Sequence, residues 1–341
     1  MKKIIFPLLS AWGHRKGSSK LAALAPYRLI LPLYHVVTDS PPLHLAGSYH
    51  IRTPEIFEEE MDSLLKLAKP VSLEEIMQAI GQGGFAEPSF HLSFDDGLRE
   101  ISEFVAPVLL RKGIPATFFL NTAFIDNRQL FYRFKMRILL NLEPAFSPAL
   151  KEKLNLYAME HGIYNGSLLK TITSFGYSGR HHLDALAEMA EMNFTQYLER
   201  QRPYLTEAEI DGLAGKGFTL GGHSIDHPRY AELSQEEQVQ QAVESVRMVK
   251  DRFRQHIGAF AFPFTDKGVG HGFFKAVQSQ YPNVIDLSFG TAGMKREQKP
   301  MHLQRIAVEH YTLPLSSVIA AEAFYYRLKE PFGKNMSCRK D

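Results

Sequence analysis

Only one cysteine occurs in the 341 residues, Cys338, so no disulfide can form within the chain. That usage is compatible with a reducing compartment. An excess of either charge is missing as well. Lys and Arg number 39 against 37 Asp and Glu, a formal net charge of +2. So small a surplus gives no broad electrostatic case for a nucleic-acid partner. No stretch approaches the ~20 consecutive apolar residues of a membrane span. There is no internal repeat and no low-complexity segment. What is present is ordinary for a soluble globular protein: 45% apolar residues and enough length for one large core or two smaller ones.

The N-terminus begins like a signal peptide, with Met1-Lys2-Lys3 before apolar Ile4 to Trp12. Pro7 and Ser10 interrupt that stretch, and Gly13-His14-Arg15-Lys16 stops it. The one Ala-x-Ala match, Ala23-Leu24-Ala25, lies beyond the polar stop. The expectation is a cytoplasmic protein, with a periplasmic or exported one as the alternative.

The chain is organised around His91-Leu92-Ser93-Phe94-Asp95-Asp96-Gly97. Ser89 to Phe94 read as a short strand, which ends in two carboxylates and a glycine. Upstream, Leu29 to Val37 is a buried-strand candidate. Thr53-Pro54 starts a helix, with Thr53 as N-cap and Pro54 at the first helical position. Ser72-Leu73-Glu74-Glu75 is a capping box for a second helix. Downstream, a helix is predicted from about Arg99 to Arg111, then a strand at Ala116 to Leu120. Strands alternate with helices, which argues for a parallel α/β arrangement. Between about Thr122 and Lys216 the alternation stops and helical patterns take over, including Leu130 to Leu142 and Leu183 to Arg200. It resumes at Phe218-Thr219-Leu220. A capped helix follows from about Gln235 to Ile257, with strands at Ala259 to Phe262, Val284 to Ser288 and Leu303 to Val308. The last predicted helix spans about Leu315 to Leu328.

A second polar cluster follows the resumed alternation, at Gly221-Gly222-His223-Ser224-Ile225-Asp226-His227. Histidines four apart reach one ion, whether on a helical turn or on two arms of a tight loop. The glycines give the backbone room, and Pro228 fixes the exit. One carboxylate would complete a set of three ligands with positions left open for water and substrate. Zn2+ suits two nitrogens and an oxygen; Mn2+, Co2+ or Fe2+ also fit, because ligand type alone does not choose. Two adjacent carboxylates should divide the labour. One stays ionised on the metal, and the other accepts a proton from water. The residues alone do not say which is which. An oxyanion donor is still needed. In Phe260-Ala261-Phe262-Pro263-Phe264, the first N–H after Pro263 is that of Phe264.

Ser93-Phe94-Asp95-Asp96-Gly97 resembles the T-F-D-D-G motif of the polysaccharide deacetylases (the NodB homology domain, carbohydrate esterase family 4). His223-Ser224-Ile225-Asp226-His227 is similar to their H-[S/T]-x-x-H motif, and Phe262-Pro263-Phe264 to a remnant of R-x-P-Y-G. Leu33-Tyr34-His35-Val36 resembles the Y-H opening of many members. The resemblance covers residues 30 to 121 and 216 to 310. It implies a distorted (β/α) barrel of about seven parallel strands and metal-dependent removal of an N- or O-acetyl group from a sugar. It also implies Asp95 as general base, Asp96, His223 and His227 as metal ligands, and the Phe264 amide as the donor facing the acyl oxygen.

Two motif positions depart from the family. Its arginine, which orients the base, is replaced by Ala261, and its glycine by Thr265. Arg305 on the last strand is the substitute candidate for the charge. His310 is the candidate for the family's late proton-donating histidine, with His35 as an outside candidate. The expected domains are an N-terminal extension (1–29), the barrel (30–121 and 216–314), a helical insertion and candidate lid (122–215), and a C-terminal helix and tail (315–341). The expected function is a metal-dependent carbohydrate deacetylase acting on a polysaccharide or glycan precursor. Alternatives are a catalytically weak glycan binder, a deacylase or deformylase of a lipid- or nucleotide-linked sugar, and an Fe2+ oxygenase. The expected partner is a carbohydrate substrate.

Overall fold

A computed structural model describes residues 23–299 and 301–339. The apolar stretch Ile4 to Trp12 lies outside the described residues. The chain divides into two compact units. One comprises the described parts of Met1–Asp39 and Tyr204–Asp341 together with His50–Ile125; the other comprises Ser40–Tyr49 and Asp126–Pro203.

Among the described residues the first unit carries eleven strands. In chain order they are β1 (Leu29–Ile30), β2 (Pro32–Tyr34), β3 (Lys69–Pro70), β4 (Ser89–Phe90), β5 (Leu92–Phe94), β6 (Ala116–Leu120), β7 (Thr219–Gly222), β8 (Ala259–Ala261), β9 (Leu287–Gly290), β10 (His302–Gln304) and β11 (Ile306–Ala307). Eight of them form one sheet in the order β10-β9-β8-β7-β6-β5-β2-β11. Every pairing in it is parallel. The edge strands β10 and β11 are separated by Arg305 alone, so the chain itself bridges the two edges. This is a distorted (β/α) barrel. The remaining strands pair as a small parallel sheet, β1-β4-β3.

Alternation along β6 sorts its buried residues into two layers. Ala116, Phe118 and Leu120 join the core beneath the outer helices. Phe119 joins Leu31, Ala261, Phe289 and Leu303 in a separate cluster. The glycine pair of β7 follows the same alternation. A Cβ on Gly221 would stand 2.5 Å from the Phe119 ring, and one on Gly222 2.9 Å from the backbone nitrogen of Val246. Gly221 therefore makes room for Phe119. Gly222 lets the helix Gln235–Phe253 pack directly on the strand.

The caps explain where helices begin. Thr53, Ser72 and Ser234 each accept an N–H from the first turn, and Ser72 and Ser234 complete capping boxes. Thr206 with Glu209 forms a third box, for the helix Glu207–Gly215 of the first unit. The predicted helix from Gln235 stops at Phe253, where Arg254 turns left-handed with φ 53°, and two other predicted helices are interrupted. The Arg99 to Arg111 segment opens with a π turn, Ile101–Val105, before the α-helix Ala106–Lys112. Pro107 has no N–H to donate, so the regular ladder cannot run through it. The Leu183 to Arg200 segment is two helices, His181–Met189 and Phe194–Gln201. Glu191 takes a left-handed φ of 56° and Asn193 caps the second helix by accepting the N–H of Gln196 at 3.0 Å.

The second unit is helical, built from Tyr132–Leu142, Pro148–Glu160, Leu168–Ser174 and the two helices just given. Its segment Ser40–Tyr49 contributes His44, whose ring lies 4.8 Å from that of Phe134 and whose Nδ1 is 2.8 Å from the Tyr197 hydroxyl.

Candidate active site

The parallel register brings one set of polar residues to one end of the barrel. Tyr34 pairs with Phe94, Leu120 with Gly222, and Ala261 with Phe289. His35, Asp95, His223 and Phe262 therefore each follow directly from the C-terminal end of a strand, where βα folds place their chemistry.

Asp96, His223 and His227 converge there, with ligand atoms within 4.8 Å of one another. The Nε2 atoms of His227 and His223 lie 3.1 and 3.6 Å from Asp96 Oδ1. Asp96 is buried, yet neither of its carboxylate oxygens accepts a hydrogen bond. A buried carboxylate left this way is costly unless something positive meets it. His223 Nδ1 is 2.8 Å from the Ala261 carbonyl oxygen, which can only accept. Nδ1 thus carries the proton, and Nε2 presents its lone pair toward Asp96. Burial pushes the His223 pKa down to about 4, so the ring is neutral at pH 7. The donor set of two imidazoles and one carboxylate, with its tautomer fixed from behind, fits a divalent cation.

Asp95 faces the same cluster, its Oδ2 3.7 Å from His223 Nε2. Arg305 grips it bidentately. Nη1 donates to Oδ1 at 2.7 Å and Nη2 to Oδ2 at 2.8 Å. Nη1 also donates to Ser93 Oγ at 3.1 Å. The guanidinium is 0% exposed and lies 5.2 Å from the Phe119 ring and 5.8 Å from that of Phe289. Burial raises the Asp95 pKa, but the Arg305 charge outweighs it and holds the carboxyl below its ordinary range. The charge that Ala261 lacks thus reaches Asp95 from the opposite side of the barrel sheet order.

His35 and His310 differ sharply in setting. His310 is exposed. The residue before it, Glu309, is buried and receives the backbone N–H groups of His35 and Val36 at 2.9 and 3.0 Å. Its Oε2 also lies 2.6 Å from His35 Nδ1. Burial pushes the His35 pKa down; the Glu309 carboxylate overrides it and sets the pKa at about 9. Sequence reasoning gave Glu309 no role. The only signal was an acid beside the histidine candidate, since its partner lies 274 residues earlier.

Phe264 follows Pro263 at the end of β8. Its carbonyl accepts from Thr291 Oγ1 at 2.9 Å, and its ring stands edge-on to His227 at 4.5 Å. Asp96, Ser224, His227 and Phe264 all have φ between 55° and 72°. Left-handed backbone costs about 1–2 kcal/mol at a non-glycine residue, and here it is concentrated at the site. The loop after β7 is held against it. Asn121 Nδ2 donates to the His223 carbonyl, and the N–H of His227 donates to Ser224 Oγ at 3.0 Å.

Among solved structures, the chain is similar to the Streptococcus pyogenes deacetylase PplD in complex with acetate (14% identity, 84% of this chain and 95% of that one, TM-score 0.53). It is also similar to IcaB from Ammonifex degensii (14%, 86% and 96%, TM-score 0.54). A third is a de-N-acetylase from Aggregatibacter actinomycetemcomitans (13%, 86% and 99%, TM-score 0.52). At such identities the likeness is one of fold. Comparison with curated proteins gave no match. The polysaccharide deacetylase sequence profile matches residues 82–268, more than half of the chain, and spans both the Asp95-Asp96 and the His223–His227 segments: the chain belongs to the polysaccharide deacetylase family.

Proposed function

We propose that this protein is a metal-dependent hydrolase that removes an acetyl group from a sugar of a polysaccharide or glycan precursor. The observation that carries the reading is the buried Asp96 carboxylate, without a hydrogen bond and ringed by two imidazole nitrogens, beside a second carboxylate held by Arg305. Asp96, His223 and His227 would hold the ion. Such an ion, most simply Zn2+, supplies Lewis-acid polarisation of the acyl oxygen and makes a neighbouring water more acidic.

The chain's own residues divide the remaining work. Asp95 is the general base: it takes the proton of the attacking water as the new C–O bond forms. Arg305 keeps Asp95 ionised and fixed in orientation, so the carboxylate is ready at neutral pH. The Phe264 N–H faces the acyl oxygen as negative charge develops there. His35 is the proton donor to the leaving nitrogen as the C–N bond breaks, giving acetate and a free amine. Glu309 keeps that ring charged well above neutrality. We place this role on His35 because it follows β2, the neighbour of the strand that carries Asp95, whereas His310 is exposed.

The first experiment measures metal content in wild type and His223→Ala, together with acetate release from acetylated chitin oligosaccharides. One equivalent of metal in wild type, lost in the variant, with acetate released only by wild type, is the expected result. Metal without acetate release from any oligosaccharide would favour a glycan-binding member or another acyl group. No metal in either protein after Zn2+ is supplied would overturn the site.

The His35 assignment has a pH signature. A proton donor with its pKa raised acts below that pKa, so turnover should fall as pH rises through about 9. Glu309→Gln removes the main raising influence, and the alkaline limb of kcat/KM should move to lower pH. A limb that stays in place in Glu309→Gln would remove His35 from the role.

A further inference from the structure

A second buried polar cluster lies behind the loop that carries Phe264. Asp266, 5% exposed, receives three donors on Oδ2: His302 Nε2 at 3.0 Å, Gln304 Nε2 at 2.7 Å, and Nη2 of Arg339. Arg339 comes from the C-terminal tail, yet its side chain is only 7% exposed. It uses its whole fork. Nε and Nη2 donate to the two oxygens of Glu297 at 3.2 and 3.1 Å, and Nη1 donates to the carbonyls of Asp266 and Val269 at 3.3 and 3.2 Å. Its guanidinium also lies 4.9 Å from the Phe274 ring.

Asp266, Glu297 and His302 have the mutual spacing of a metal site. The hydrogen bonds point to a different use. His302 Nδ1 is 2.8 Å from the Ser288 hydroxyl, its Nε2 is 3.0 Å from Asp266 Oδ2, and Arg339 occupies the remaining approach to that oxygen. The guanidinium supplies the positive charge instead, in the planar geometry that matches carboxylates.

Only Thr265 separates Asp266 from Phe264. Phe264 has a left-handed φ of 55°, which a phenylalanine does not adopt without support. Thr291 holds the segment through the Phe264 carbonyl, and the Arg339 cluster holds it through Asp266. We propose that Arg339 is a positioning residue: the C-terminal tail reaches back through its guanidinium to fix the Pro263 to Asp266 segment, and with it the direction of the Phe264 N–H. This rests on the deacetylase reading above, in which that N–H meets the acyl oxygen. Its effect falls on the transition state rather than on substrate binding.

The test compares wild type with Arg339→Ala in the full chain, by hydrogen exchange read by mass spectrometry and by steady-state kinetics on the oligosaccharide that wild type deacetylates best. Exchange in 263–269 should quicken while 93–97 and 221–227 stay protected, and the metal stoichiometry should not change. Turnover should fall about tenfold with KM little altered, less than the ~10²–10³ lost with an outright oxyanion donor. Millimolar guanidinium should restore part of the rate, and tetramethylammonium at equal ionic strength should not. Should Arg339→Ala fail to fold, Arg339→Lys, which keeps the charge but not the fork, carries the same comparison. Unchanged exchange in 263–269, or quickened exchange with unchanged kcat, would overturn the proposal. Metal-free or inactive wild type would instead strike the deacetylase reading, while the exchange result still decides whether the tail holds the loop.

Discussion

An Arg305→Met variant should lose about 3–5 kcal/mol of unfolding free energy, the cost of stranding a buried partner charge. Urea unfolding followed by circular dichroism measures it. The reason is local. Asp95 is buried, and both its oxygens depend on the Arg305 fork. Methionine fills much of the arginine's space between Phe119 and Phe289 but gives Asp95 no donor. Adding Asp95→Asn to Arg305→Met should recover a substantial part of the loss, because no net charge is then left unpaired. If the double variant were as unstable as the sum of the singles, packing rather than the ion pair would be the cause.

Asp95→Asn alone should cut kcat by about 10²–10⁴, the usual worth of a positioned general base. Metal content should stay at the wild-type level, since Asp95 is outside the group formed by Asp96, His223 and His227. Asp96→Asn should do the reverse and lose the metal first. Two neighbouring residues of one type would then fail in two distinguishable ways. Retained turnover in Asp95→Asn would take it out of proton transfer; lost metal would move it into the ligand set.

Much of the site was legible because it is written in short segments. Asp95-Asp96-Gly97 and His223–His227 each sit in one turn after a strand, and strand ends announce themselves by where apolar runs stop. The glycines before His223 signal backbone room in the sequence, and the structure gives that room a specific use against Phe119 and Val246. What the chain order conceals is pairing across the barrel. Arg305 was a candidate for the missing charge because it lies on a late strand, but its bidentate grip on Asp95 spans 210 residues and depends on sheet order. Glu309 was invisible for the same reason: it reads as one more surface acid until β11 is laid beside β2. Helix limits depart from the apolar periodicity where local chemistry overrides it, at Pro107 and at the Glu191 to Asn193 junction.

The single residue between β10 and β11 has a consequence for how the protein matures. Those strands pair with β9 and β2, so Arg305 reaches its place only when β11 docks on β2. Contacts so distant in the chain carry the entropy cost of closing a long loop. A chain whose C-terminal strands have not yet docked therefore carries an unoriented Asp95. With Asp95 as the general base proposed above, hydrolysis would then require that docking, and a chain with β11 detached from β2 is expected to be inactive.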